Sequence, residues 1–371
     1  MWPVPLQRQI LSLDPSHSTY FVDSKGRAFI GLATSAGTKV LQAALAFYDA
    51  NNHATVGQIE EFNDPLGTGG RALGLLKQQT PTVQTWGPSN LNSAFVFGLS
   101  GSDAAGGRLS AAGGMTFDGV GNLTNGLEDT NDAGALTVQQ TIPTGTYALE
   151  ADGRGTVSFV VGKSTVDGVI YAVDSSELFL LSTLQVNPAP LLSGRVSQIV
   201  APGSLSDATG VGGYQLVTLE GLHDATIGIL NLSLGTQKTA NVSGTLWRDA
   251  AGTASSQSIS GLFTITDIGH GRVTFAAGWT NSPVAYFTGF SKLAGTGNKT
   301  LPTTAFLVGT GSDAEAGEVI WQSLAAPNFS AASLKYSAAY SDLQSSGNNS
   351  ASQTGSTGQI SLDGIGSLAL M

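Results

Sequence analysis

The chain has 371 residues, of which only 11% are charged and 49 are glycine, and it carries a formal net charge of −10. No basic cluster stands ready to pair with phosphates, which argues against nucleic acid and anionic membrane surfaces as partners. Cysteine is absent, which excludes disulfide staples, thiolate zinc sites and cysteine nucleophiles. With polarity carried by Ser, Thr, Asn and Gln, the composition suits an extracellular or cell-surface bacterial β-protein. No apolar run approaches the ~18 residues of a membrane span. The opening MWPVPLQRQILSLD lacks the charged and apolar regions of a signal peptide. A removed signal, or a piece of a longer chain, is the expectation.

In chain order, Pro3, Pro5 and Pro15 mark an irregular lead-in. Strand-like runs follow from His17: STYFVDSKGRAFIGL, KVLQAALAFYDANN, HATVGQIEEFND and RALGLLKQQ. VLQAALAF has a helix-like composition, but its place among strands favours strand. TPTVQTWGPSN (80–90), APGSLSDATGVGG (201–213) and AAPNFS (325–330) have the composition of linkers. They divide the chain into a lead-in plus half module (1–90), whole modules (91–203 and 204–327) and a final half module (328–371).

One stretch recurs. Gly145–Phe159 reads GTYALEADGRGTVSF, two alternating runs around a tight Asp152-Gly153-Arg154-Gly155 turn, which is a β-hairpin signal. Gly261–Phe275 (GLFTITDIGHGRVTF), Thr19–Leu32 (TYFVDSKGRAFIGL) and Gly358–Leu370 (GQISLDGIGSLAL) repeat it. The copies predict an all-β chain of tandem antiparallel sandwich or small barrel modules of ~110 residues, each of about seven or eight strands. The first segment matches the back half of a module and the last segment a front half. The two halves could pair within one chain, or between chains as a route to self-association, since a lone half leaves an open edge and a bare apolar face.

The opening Ala94–Gly107, the Phe117–Asn122 turn, the acidic Glu128–Asp132 stretch and the Gly145–Phe159 hairpin together resemble the β-rich repeat modules of large secreted proteins of acidobacterial-type soil bacteria, often labelled Ig-like. The resemblance implies extracellular display. It brings no catalytic residues. Asp249-Ala-Ala-Gly departs from the Asp-Gly-x-Gly turn pattern.

Candidate chemistry is sparse. Glu128, Asp129, Asn131 and Asp132 form the densest oxygen cluster and are the candidate metal ligands, with calcium as the candidate cofactor. The EF-hand spacing fails, because Gln140 stands where a Glu is required. Otherwise no cofactor is expected, and the cluster is a charged strand end that discourages edge pairing. Glu60, Glu61, Asn63 and Asp64 make a second acidic knot. The turn residues Asp118, Asp152 and Asp363 offer one carboxylate each, which suits a turn better than a calcium loop. His17, His53, His223 and His270 are scattered and outside HExxH spacing, so a zinc site is not expected. No serine sits in a nucleophile elbow. Trp86, Trp247, Trp279, Trp321, Tyr171, Tyr286, Tyr336 and Tyr340 suit strand cores, or could stack on sugars, which makes a glycan a candidate partner. The expected function is therefore a non-enzymatic structural or assembly protein. A carbohydrate or small-ligand binder is the alternative, with an extracellular hydrolase behind it.

Overall fold

The computed structural model describes residues 12–61, 73–79, 85–162, 164–183, 190–199, 213–221, 223–234, 239–267, 269–276, 278–288, 290–292, 300–302, 304–321, 337–345, 353–363, 365 and 368–370. The protein is all-β. Apart from one 3-10 turn at Pro88–Asn90, every regular element among these residues is a strand, including Gly37–Tyr48, which carries the helix-like composition. The chain divides into two compact units, one spanning 80–326 with 1–6 and the other uniting 7–79 with 327–371.

In the second unit, β1 (Thr19–Val22), β2 (Arg27–Thr34), β3 (Gly37–Tyr48), β4 (Ala54–Glu61) and β5 (Leu73–Lys77) form an antiparallel sheet in chain order. The first unit contains two barrels. The first runs β6 (Asn92–Ser102), β7 (Arg108–Asp118), β8 (Asn122–Asp132), β9 (Ala135–Leu149), β10 (Arg154–Val161), β11 (Ser164–Asp174), β12 (Glu177–Ser182) and β13 (Leu191–Gln198), and it closes where β13 pairs with β6. The second runs β14 (Gly213–Glu220), β15 (Asp224–Leu234), β16 (Thr239–Ala250), β17 (Thr253–Asp267), β18 (Arg272–Ala276) and β19 (Val284–Phe287). A ribbon of β20 (Phe290–Lys292) and β21 (Thr300–Pro302) precedes β22 (Thr304–Val308) and β23 (Ala316–Trp321), which returns to β14. The three-stranded sheet β24 (Ser337–Ser345), β25 (Gln353–Leu362) and β26 (Leu368–Leu370) belongs to the second unit, where β24 and β25 lie against β3 and β4. Five strands from the first segment and three from the last thus share one unit of the same chain.

Period-two alternation places one side of every strand inside its barrel. Phe95, Phe97, Phe117 and Phe159 fill the first, with Phe95 edge-on to Phe117 at 4.9 Å between ring centroids. Phe263, Phe275 and Phe287 fill the second, and Trp279 packs on Phe275. Closure removes all edges, so the barrels can meet only through outward faces.

The recurring turn is a three-residue loop. Glu150 N–H donates to Arg154 O (2.7 Å), and Gly153 supplies the left-handed φ of +87° that ends the loop. The hairpin therefore closes at Glu150–Arg154, ahead of the turn read at Asp152–Gly155. Asp23–Arg27, Asp49–His53 and Asp103–Gly107 close the same way. At the tail turn Ile365 N–H donates to Asp363 Oδ1, as Lys25 N–H does to Asp23 Oδ1 and Val120 N–H to Asp118 Oδ1. Asp249-Ala-Ala-Gly closes β16–β17, the counterpart of β8–β9, and so is no variant of the Asp-Gly-x-Gly turn.

The barrels are equivalent strand for strand. Setting Gly194-Arg195-Val196 against Gly317-Glu318-Val319 and following cross-strand partners gives one outward row around each barrel. In the first it runs Asp129, Ala112, Gly98, Arg195, Phe179, Tyr171, Arg154. In the second it runs Trp247, Ile227, Thr218, Glu318, Phe306, Tyr286, Arg272.

Tyr147 ties the approach to the first barrel. Its hydroxyl accepts the Gly119 N–H at 3.0 Å and reaches the Leu91 carbonyl at 2.9 Å. Tyr147→Phe leaves a buried N–H and a carbonyl unpaired and should cost about 1–2 kcal/mol in denaturant unfolding. An unchanged midpoint would show that water replaces the hydroxyl.

Candidate functional site

Four buried polar residues of the first unit, Asp129, Asn131, His270 and Arg272, bond across the place where the two barrels meet. Asp129, opposite Ala112 on the outer face of β8, is fully buried. Arg272 grips it in two places, Nε to Oδ2 at 2.6 Å and Nη2 to Oδ1 at 3.1 Å, the bidentate geometry that suits a carboxylate. The Tyr286 hydroxyl donates to Oδ2, and the Gln139 backbone N–H donates to Oδ1 at 2.9 Å. Burial, and then the Asp129 charge, push the Tyr286 phenol well above its ordinary range.

Asn131, two residues on and facing the same way, uses its whole amide. Nδ2 donates to the Gly309 and Gly311 carbonyls at 2.7 Å each, and Oδ1 accepts the Gly134 N–H at 2.8 Å. His270 Nε2 donates to the Asn125 carbonyl at 2.6 Å, and its Nδ1 lies 3.0 Å from Asp267 Oδ1. Beside these contacts Val96, Ala112 and Ile199 pack against Val284, Tyr286, Phe306 and Val308. The close approach needs small residues. A Cβ on Gly98 would lie 2.5 Å from Phe306 Cγ, and one on Gly114 would lie 3.1 Å from His270 Cβ. Arg195 pairs with Glu318 and with Glu177, and its guanidinium stands 5.4 Å from the Phe306 ring centre. Next to this pair lies a cleft of about 320 Å³, lined in part by Gly98, Arg108, Glu220 and Phe306.

The four candidate metal ligands are thus dispersed among different tasks. Asp129 and Asn131 make the joint. Glu128 pairs with Gly113 and so faces the barrel interior, where the second barrel has Leu246 opposite Gly228. Asp132 lies at the strand end, where burial and the Asp103 carboxyl raise its pKa. Among the described residues, no group of three or more His, Asp or Glu could hold a metal ion. In the second acidic knot, Glu61 pairs with Lys39 at 3.2 Å, while Asn63 and Asp64 lie outside the described residues. The Asp118 carboxylate caps its own turn, and the Asn122 side-chain amide, then its backbone N–H, hold it below the usual carboxylate range. Arg154 N–H likewise donates to Asp152 Oδ1.

His17, His53 and His223 each sit by one aspartate, Asp14, Asp49 and Asp313. Ser16 Oγ reaches the same His17 Nδ1 that meets Asp14, so these groups are not wired as a relay. Trp86, Trp279 and Tyr286 are buried, whereas Trp247 and Tyr171 stand half out of the surface. Tyr336 and the side chains of Trp321 and Tyr340 lie outside the described residues. Sequence reading missed Arg272 and Tyr286 as partners of Asp129. Arginine recurs at this hairpin position, as Arg27, Arg154 and Arg272, so no local signal singled out Arg272.

No family model matches this chain, and no curated protein matches it either.

Removing one partner of a buried pair strands the other charge. Asp129→Ala and Arg272→Ala should each cost about 3–5 kcal/mol in unfolding, and the double variant should cost well under their sum. Additive losses would show that the pair is not coupled.

Burial, and then Asp129, raise the Glu128 pKa to about 8. The folded state therefore holds this proton between the ordinary carboxylate range and pH 8, where the unfolded chain has lost it, so the group's contribution falls as pH rises through that window. Glu128→Gln should raise the unfolding free energy most at pH 8 and above, by roughly 5 kcal/mol at most, with the gain vanishing near pH 4. A pH-independent gain would refute the assignment.

Proposed function

We propose that this chain is a non-enzymatic structural protein of the cell exterior, a short array of β modules acting in a surface scaffold or filament. The observation that carries the reading is the use of Asp129, Asn131, Arg272 and Tyr286, buried polar side chains of kinds that serve active sites elsewhere, to fix one module against the next. A buried bidentate pair holds two bodies in one orientation, which an array under tension requires and a hydrolase does not. Interiors filled by aromatic side chains favour this role over ligand carriage inside a barrel. An absence of cysteine and a hydroxyl-rich composition suit the exterior.

Self-association is part of the proposal. Residues 7–79 and 327–371 share one unit, so the tail sheet β24–β26 of one copy can replace that of another, exchanging identical elements at low cost. The test compares the full chain with a chain ending at Pro327. Loss of the tail uncovers β3 and β4, and the shortened chain should show an early unfolding step that a peptide of residues 328–371 restores in trans. Full-length protein refolded at high concentration should form assemblies by light scattering, and the shortened chain should not. A shortened chain of unchanged stability and assembly would refute the exchange.

A further inference from the structure

The joint between the barrels is a zipper of two half rows. Asp129, Ala112, Gly98 and Arg195 of the first barrel meet Arg272, Tyr286, Phe306 and Glu318 of the second. Each barrel thereby uses only half of its outward row. Apart from the Arg195–Glu318 pair on the last strands, the contact is heterologous, since the first barrel offers β6–β8 and the second offers β18, β19 and β22. A heterologous contact leaves one unused copy of each face, and such contacts propagate.

Both unused halves carry large apolar side chains exposed to water. On the first barrel, Tyr171, Phe179 and Arg154 occupy the positions of Tyr286, Phe306 and Arg272. Tyr286 is fully buried at the joint, whereas Tyr171 is 50% exposed and the neighbouring Leu181, which stands where Val308 does, is 44% exposed. On the second barrel, Ile227 and Trp247 occupy the positions of Ala112 and Asp129 and are 51% and 49% exposed. Ile229 and Ile320 widen that face. Large side chains half out of water on adjacent strands, on faces whose counterparts are buried against a barrel, mark unsatisfied contact surface.

We propose that the β10–β12 face of the first barrel docks on the β14–β16 face of the second barrel of another copy, joining chains through a second form of the same zipper. Row for row, Arg154 meets Trp247, Tyr171 meets Ile227, and Phe179 meets Thr218. The chemistry changes in step on both sides. Where the inner joint sets a carboxylate under an arginine, the outer one sets an indole under an arginine, a cation–π pair. Where Gly98 and Ala112 admit Phe306 and Tyr286 deeply, Thr218 and Ile227 fill that depth, so the outer joint is apolar face on apolar face and weaker. This inference deepens the self-association proposed above but does not use tail exchange.

The test is sedimentation velocity of the full chain over a range of concentrations. Tyr171→Asp and Trp247→Asp change half-exposed positions and should lower thermal unfolding by only a few degrees, leaving the chain folded at the temperature of the measurement. Each should weaken association about tenfold or more. Because the contact is heterologous, each variant keeps one good face, and mixing the two should restore a dimer and stop there. Failure of the mixture to dimerise would overturn the proposal, as would association indifferent to both variants. Association lost with the tail but indifferent to Tyr171→Asp would assign assembly to tail exchange alone. Association lost in Tyr171→Asp while tail exchange fails would leave this contact standing. A chain that stays monomeric while Trp247 fluorescence responds to a cello-oligosaccharide would overturn it in favour of a sugar surface.

Discussion

The paired charges of Asp129 and Arg272 are the constraint on which the arrangement of the two barrels depends. Each side chain projects from the outside of a closed barrel, where water would solvate it if the barrels were apart. Docking removes that water, a penalty of several kcal/mol per ion that attraction alone need not recover. The gain lies in the conditions set on recovery. Two guanidinium nitrogens and a phenol of the second barrel must reach one carboxylate together, which the Gln139 N–H of its own barrel holds in place. Only one rotation and one translation of the barrels achieves that. Val96, Ile199, Val284 and Phe306 supply a driving force that tolerates sliding, and the ion pair removes the tolerance.

Closure of the barrels makes this device necessary. A sheet with open edges can dock by hydrogen bonding along its backbone, which fixes register without side chains. A closed barrel has given up that option, so side chains must carry the whole specification. Small residues at Gly98 and Gly114 let the partner come near, and Asn131 replaces the missing backbone ladder by binding two carbonyls at once. Glu128 does not belong to this logic. It faces inward at a position where the second barrel has Leu246, and nothing in the structure explains it.

Much of the fold was legible because hairpins are local. The Gly145–Phe159 stretch contains its whole instruction, alternation on both sides and a glycine able to take positive φ, and β9 and β10 pair as those residues demand. Repetition then multiplied one reading into several. Turn detail was lost where similar letters serve different loops: Asp249 belongs to a β8–β9 type hairpin, not to an Asp-Gly-x-Gly turn. The site was not legible. Asp129 lies 143 residues from Arg272 and 157 from Tyr286, and no local pattern distinguishes a carboxylate awaiting an arginine from one facing water. Its neighbours Glu128, Asn131 and Asp132 looked like one cluster only because strand alternation, which sends them to different faces, was not applied to them.

The two barrels therefore differ least where they face inward and most where they face out. Gly113, Met115 and Phe117 have Gly228, Leu230 and Leu232 as counterparts, all suited to one packed interior. On the outer row the same bookkeeping sets Asp129 against Trp247 and Arg195 against Glu318, with reversal of charge at the second. That reversal has a consequence for order. The last strands of the two barrels touch through Arg195 and Glu318, so a joint between two copies of the first barrel would oppose arginine to arginine, and one between two copies of the second would oppose glutamate to glutamate. Each mismatched pairing carries a like-charge penalty that the mixed pairing lacks. Duplication gave the chain two bodies of one topology, and divergence on the outward rows made the order in which they join a property of the sequence.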